Sequence, residues 1–114
     1  MTFPLQVTFR GMDHSEAIEG VIQGKVDRLR TKYHHIVKFR VAVRAPSSHH
    51  KHGDQYHIVV DASVPGSELV VNRAPPDHHA HDDVYVAIRD AFRAIERELE
   101  KHADRHERVR RDIR

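Results

Sequence analysis

The sequence predicts an α+β domain with the element order β-α-β-β-β-α, built as a four-stranded mixed sheet with two helices packed on one face. Three segments alternate apolar and polar residues, as half-buried strands do, and a tight turn after the third predicts a fourth strand. Two longer segments repeat apolar residues every three or four positions, as amphipathic helices do. A helix joins the first two strands, which makes them parallel if they pair directly. Because each element has one apolar side, the simplest closed core places both helices on the same side of the sheet.

The first strand and helix occupy the start of the chain. Residues 5–10, LQVTFR, alternate and predict a strand that Gly11 ends. Asp13 or Ser15 is suited to cap the helix that follows. The apolar stripe of this helix is expected to comprise Ile18, Val21, Ile22, Val26, Leu29 and Tyr33.

Three more strands follow. Residues 36–45, IVKFRVAVRA, predict a strand with Val37, Phe39, Val41 and Val43 facing the core. Residues 55–64, QYHIVVDASV, predict another, with Tyr56, Ile58, Val60, Ala62 and Val64 facing inward. Pro65 and Gly66 suit the two central positions of a tight turn. Residues 68–72 therefore return as the second strand of an antiparallel hairpin.

The last element is a long helix. Asp82 or Asp83 is expected to cap it, and it runs to about residue 107. Its apolar stripe consists of Val84, Ile88, Ala91, Phe92, Ile95 and Leu99, with Tyr85 at the margin. We predict one domain, residues 1–107, followed by a basic C-terminal tail, residues 108–114.

Composition narrows the functional classes. The chain of 114 residues is 39% hydrophobic and 32% charged, which describes a small and very polar domain. It has no cysteine, so disulfides and thiolate chemistry are excluded. No apolar run approaches the roughly 20 residues that cross a bilayer. We find no nucleophile elbow, phosphate-binding glycine loop or His-Glu-x-x-His pattern. We therefore predict a cytoplasmic protein that is not an enzyme and needs no cofactor.

Basic residues recur on both helices and are the candidate binding residues. On a helix each fourth residue is displaced by roughly 40°, so such a row drifts slowly around the axis. The last helix carries Arg89, Arg93, Arg97, Lys101 and Arg105, and the first carries Lys25, Arg28 and Lys32. Side by side, the two rows would form a track for RNA phosphates. The alternative is an ordinary solvated surface, because acidic residues run beside the row of the last helix.

Two histidine clusters lie in predicted loops. One contains His49, His50 and His52, and the other contains His78, His79 and His81 beside Asp77, Asp82 and Asp83. Imidazoles bind zinc or nickel, but this spacing matches no standard structural zinc site. A metal site, RNA contact and no ligand at all remain open, and a histidine-rich metal-binding protein or metal-dependent hydrolase is the rival function. The sequence does not decide whether the two loops lie at the same end of the sheet.

Two stretches resemble the ribosome hibernation-promoting factor and ribosome-associated translation inhibitor family. They are LQVTFRGMDHSEAIEGVIQGKVDRL near the start and DDVYVAIRDAFRAIERELEKHADR in the last helix. The resemblance covers roughly residues 4–107. It matches family basic positions to Lys25, Arg28, Arg97, Lys101 and Arg105, and the start of the last helix to Asp83 and Tyr85. Ala94, Arg89 and Arg93 depart from some members, so the phosphate contacts are expected to be rearranged.

The resemblance implies a function on the ribosome. Family members bind 16S-type ribosomal RNA at the decoding region of the small ribosomal subunit. They block the messenger and transfer RNA sites and silence idle ribosomes under stress and in stationary phase. Long members carry a further dimerisation domain, and this chain is expected to be a short form, monomeric off the ribosome.

Overall fold

The computed structural model describes residues 4–46, 56–73 and 83–112. The elements follow the predicted order: β1 (Leu5–Arg10), α1 (Glu16–Lys32), β2 (Lys38–Arg44), β3 (His57–Val64), β4 (Ser67–Arg73) and α2 (Val84–Asp112). The strands form one sheet in the order β1-β2-β3-β4. β1 and β2 are parallel, and the other two pairs are antiparallel, so the predicted mixed sheet is confirmed.

The predicted hairpin is confirmed at residue level. Val64 and Ser67 are paired across the turn between β3 and β4. Gly66 has a φ of 78°, which an L side chain rarely adopts. Glycine at this position and proline before it therefore select a turn that reverses the chain within two residues.

The core lies between one sheet face and the two helices. It is a single cluster that joins the inward residues of β2, β3 and β4 to the apolar stripes of α1 and α2. The Phe39 and Phe92 rings, from β2 and α2, lie 6.2 Å apart between centroids. Leu5, Val7 and Phe9 of β1 pack against the cluster from the edge. Both helices thus cover one face, as predicted, and the other, the helix-free face, carries no helix among the described residues.

The structure selects one of the two candidate caps of α1, and of the two candidates for α2 it describes Asp83, whereas Asp82 lies outside the described residues. Ser15 is the N-cap of α1, and its Oγ accepts a hydrogen bond from the backbone N–H of Ile18 at 3.2 Å. Asp83 precedes α2, and its Oδ1 accepts from the N–H of Tyr85 at 2.9 Å. Helix α2 continues to Asp112 instead of ending near residue 107, because its charged last turns remain compatible with helix after the apolar stripe has ended.

Two residues predicted to face the core do not. Val37 is 56% exposed because β2 begins only at Lys38, and Ile36 is buried in its place. Val21 of α1 is 36% exposed because it lies at the edge of the apolar stripe, turned away from the sheet. Tyr56, the first predicted inward residue of the third strand, precedes β3 and is partly buried.

The strand register determines where the two histidine loops attach. Arg44, the last residue of β2, pairs with His57, the first of β3. Ile58 pairs with Arg73, the last residue of β4. The chain therefore leaves for both loops from the same end of the sheet. The candidate ligands themselves, His49, His50, His52, His78, His79 and His81, lie outside the described residues.

Candidate nucleic-acid interface

A cleft of about 600 Å³ lies between α1 and α2 on the side away from the sheet. Its floor is apolar, formed by Leu29 and Phe92, which are only 6% and 5% exposed. Its walls are almost entirely cationic. Five predicted binding residues line it: Lys25, Arg28, Lys32, Arg89 and Arg93. The structure thus brings the first-helix row and the first two residues of the second-helix row to one place.

Lys25 lies among three arginines of the cleft. Partial burial, and then the positive charges of Arg28, Arg93 and Arg89, lower the pKa of its ammonium group. Burial and neighbouring like charges both disfavour the protonated form. Within the described part of the chain, no carboxylate lies within ion-pair distance of Lys25, Arg28 or Arg93. These three cations are therefore available to an external anion.

The other two cations of the cleft are already paired. The Lys32 Nζ donates a hydrogen bond to Glu96 Oε2 at 3.2 Å, which links the end of α1 to α2. This bond raises the pKa of the Lys32 ammonium group. Arg89 lies 3.3 Å from the carboxylate of its neighbour Asp90. Lys32 and Arg89 consequently contribute less unbalanced charge than Lys25, Arg28 and Arg93.

The row on α2 does not stay on one side. Because each fourth residue is rotated by roughly 40°, the row crosses the exposed surface of the helix as it advances. Arg97 and Lys101 line a separate groove of about 400 Å³ between α2 and the edge strand β4. Val71 and Asn72 of β4 form the opposite wall of this groove. Arg105 is exposed further along the helix.

The second groove carries less unbalanced charge than the cleft. Glu98 belongs to its lining, and the Lys101 Nζ lies 4.0 Å from the Glu98 Oε1. Arg97 has no carboxylate within ion-pair distance among the described residues. Seven of the eight predicted residues therefore form two cationic sites on either side of α2, and Arg105 lies outside both.

Sequence reasoning missed the contribution of Glu96 and of the apolar floor. Glu96, one of the acidic residues beside the row of the last helix, pairs with Lys32 across the two helices. Leu29 and Phe92 belong to the predicted apolar stripes, and they also line the cleft. The phase of each residue on its own helix was available from the sequence. The rotation of one helix against the other was not.

The helix-free sheet face carries a third group of charges. The Arg40 guanidinium lies 3.5 Å from Asp61 and 3.6 Å from Glu68. Burial, and then the negative charge of Glu68, raise the pKa of the Asp61 carboxyl group. Thus two carboxylates lie beside one arginine. Burial and the mutual repulsion of the carboxylates disfavour the state in which both are ionised.

The described residues contain neither a metal-binding cluster nor a membrane-spanning helix. Within residues 4–46, 56–73 and 83–112, no three His, Asp or Glu side chains are grouped so that they could hold a metal ion. None of the described helices combines the length and hydrophobicity required to span a membrane.

Comparison with known proteins gives a family match over most of the chain. Residues 5–107 match the family model described as sigma 54 modulation protein / S30EA ribosomal protein. A search of the curated proteins found no match.

Two solved structures have a similar fold. A ribosomal subunit interface protein from Coxiella burnetii superposes with a TM-score of 0.69 at 18% identity, covering 88% of this chain and 97% of that chain. The N-terminal domain of Thermus thermophilus Protein Y superposes with a TM-score of 0.66 at 18% identity, covering 90% of this chain and 99% of that chain.

Proposed function

The chain belongs to the sigma 54 modulation protein / S30EA ribosomal protein family, and on this premise we propose that it binds the small ribosomal subunit through the cleft between α1 and α2. The partner is 16S-type ribosomal RNA at the decoding region. The bound protein occupies the messenger and transfer RNA sites and holds idle ribosomes inactive under stress or in stationary phase. Its role is that of a binding factor, with no reaction of its own.

One observation carries this proposal. Lys25, Arg28 and Arg93 converge on one cleft, and no carboxylate of the described chain balances them. A solvated helix surface would pair its charges as Lys32 and Glu96 do. Clustered cations without acidic partners favour a polyanion, whose phosphates bind guanidinium and ammonium groups strongly.

The shape of the cleft is consistent with RNA. Its arginines can bind phosphates through two parallel N–H donors, whereas Lys25 acts as a compact point charge. Recognition of a preformed RNA surface relies on shape and backbone contacts and does not require a code for each base. The groove of Arg97 and Lys101 provides a second contact on the far side of α2.

The test is co-sedimentation of the purified protein with isolated small subunits over a series of salt concentrations. We expect saturation near one protein per subunit and an affinity that falls steeply with salt. The variant Lys25→Gln/Arg93→Gln should reduce the steepness of log affinity against log salt by about 1.5, since each lost phosphate contact accounts for about 0.7–0.9.

The matched control is Arg30→Gln/Lys38→Gln, which removes two positive charges from positions that do not line the cleft. An equal loss in both variants would mean that net charge, not the cleft, drives binding. Absence of binding by the unaltered protein at low salt would refute the proposed function.

A further inference from the structure

A row of cations crosses the helix-free face at the end of the sheet from which both histidine loops depart. Arg10 of β1 pairs with Arg44 of β2, and Arg44 pairs with His57 of β3. Neighbouring strands are about 4.8 Å apart, so the three residues form a line roughly 10 Å long. Arg10 and Arg44 are both exposed. This basic row, Arg10–Arg44–His57, lies on the opposite side of the sheet from the cleft.

The other end of the same face is electrically balanced. There Arg40 lies within 4 Å of both Asp61 and Glu68, and the charge of Lys38 also acts on Asp61. Two cations thus meet two carboxylates. At the basic row, no carboxylate of the described chain lies within ion-pair distance of Arg10 or Arg44. Ion pairs thus offset the charge of Arg40 at that end of the face, whereas Arg10 and Arg44 have no such partner among the described residues.

Arg10 and Arg44 are partners across the parallel strands β1 and β2, so two like charges occupy neighbouring positions on this face. An anion bound between the two guanidinium groups would offset their repulsion. Next to the row lies a shallow groove of about 280 Å³, lined by Gln6, Thr8 and Ala42 beside the row and by Arg40 and Asp61 at its far end. The short side chains of Thr8 and Ala42 leave room for a chain to approach the sheet, and Gln6 and Thr8 offer hydrogen-bonding groups to sugars and phosphates.

We propose that the basic row is a second phosphate-binding surface, which holds a segment of ribosomal RNA on the helix-free face while the cleft holds another on the helix face. This inference rests on the proposed function and extends it, since the domain then lies between two RNA segments and is not bound from one side only. RNA fits because its phosphates recur along the backbone and can bridge successive arginines. Guanidinium groups bind phosphate in a bidentate manner.

The first experiment measures small-subunit affinity against salt for Arg10→Gln/Arg44→Gln. We expect the dependence of log affinity on log salt to become less steep by about 1.5, as two phosphate contacts are lost. The control Arg30→Gln/Lys38→Gln removes the same charge at two positions that line neither the groove nor the cleft, and it should leave the slope nearly unchanged. Thermal unfolding of each variant verifies that the sheet is intact.

The outcomes separate the two hypotheses. If Lys25→Gln/Arg93→Gln weakens binding and Arg10→Gln/Arg44→Gln does not, the basic row is not an RNA contact and the cleft proposal stands. Equal effects of Arg10→Gln/Arg44→Gln and its control would also overturn the row, because only net charge would matter. If the unaltered protein does not bind small subunits, both hypotheses fail.

A second experiment locates the RNA directly. The chain contains no cysteine, so Thr8→Cys and Val21→Cys each provide a single attachment point for a chelated iron that cleaves nearby RNA. Thr8 adjoins the basic row, and Val21 lies on α1 four residues before Lys25. We expect cleavage of two different segments of ribosomal RNA. No cleavage from the Thr8→Cys variant, with cleavage from the Val21→Cys variant, would place the helix-free face away from RNA and overturn the inference.

Discussion

The Lys32 ammonium group lies 3.2 Å from the Glu96 carboxylate and joins the last turn of α1 to the middle of α2. This ion pair lies in the lining of a cleft in which three other cations, Lys25, Arg28 and Arg93, have no acidic partner among the described residues. The pair therefore reduces the net positive charge of the cleft. Glu96 can be replaced without altering any of the cations.

Glu96→Gln should tighten binding to small subunits several-fold and steepen its salt dependence, because Lys32 becomes available to phosphate. Glu100→Gln on the same helix is the control, since Glu100 does not line the cleft. Co-sedimentation at fixed salt measures both. Weaker binding by Glu96→Gln would show that the ion pair aligns the helices for binding and that its charge is secondary.

Arg97→Ala/Lys101→Ala should weaken ribosome binding and flatten its salt slope without unfolding the domain. Both side chains are exposed and line the groove beside β4, so their removal leaves the core intact. Because Glu98 partly balances Lys101, we expect a smaller loss than for Lys25→Gln/Arg93→Gln. Circular dichroism verifies the fold and co-sedimentation gives the affinity. Unchanged affinity would remove these two residues from the interface.

The affinity should also fall as the pH is raised through the alkaline range. Partial burial and the neighbouring arginines lower the pKa of Lys25 in the free protein, whereas a bound phosphate would raise it. Binding therefore takes up a proton once the pH exceeds the pKa of the free protein, and affinity is lost from that pH upward. Lys25→Arg, which keeps its charge, should abolish this dependence. A pH profile unchanged by Lys25→Arg would contradict the role given to Lys25.

Asp61→Asn should raise the free energy of unfolding at neutral pH. Burial and Glu68 raise the pKa of Asp61, so the folded protein holds this proton more tightly than the unfolded chain does. Above the pKa that Asp61 has in the folded protein, its ionised carboxylate lowers the free energy of unfolding. This loss diminishes as the pH falls through that pKa. The advantage of Asp61→Asn should thus be largest near neutral pH and shrink in acid.

Urea unfolding of the unaltered protein and of Asp61→Asn at several pH values measures that difference. In a protein that carries Glu68→Gln, the gain in free energy of unfolding from Asp61→Asn should be smaller, because removing the neighbouring charge lowers the pKa of Asp61. A stability difference that does not vary with pH would instead attribute the effect to the ion pair between Arg40 and Asp61.

Local patterns in the sequence correctly predicted the order of the elements, the buried face of each strand and the turn at Gly66. These properties depend on local periodicity and local backbone conformation, which the order of residues specifies directly. The predictions from the sequence were wrong at the ends of elements, where the local pattern stops. Val37 continues the alternation of β2 but precedes its first pairing in the sheet, and α2 runs past the last residue of its apolar stripe.

Which cations line the same groove depends on how the helices and strands pack against one another. The sequence placed Arg89, Arg93, Arg97 and Lys101 in one row, but the position of α1 and β4 against α2 divides the row between two grooves. The pairing of Lys32 with Glu96 and the line from Arg10 to Arg44 join residues that are distant in the chain. Helix rotation and strand register are set by the packing of the whole core, so no local pattern contains them.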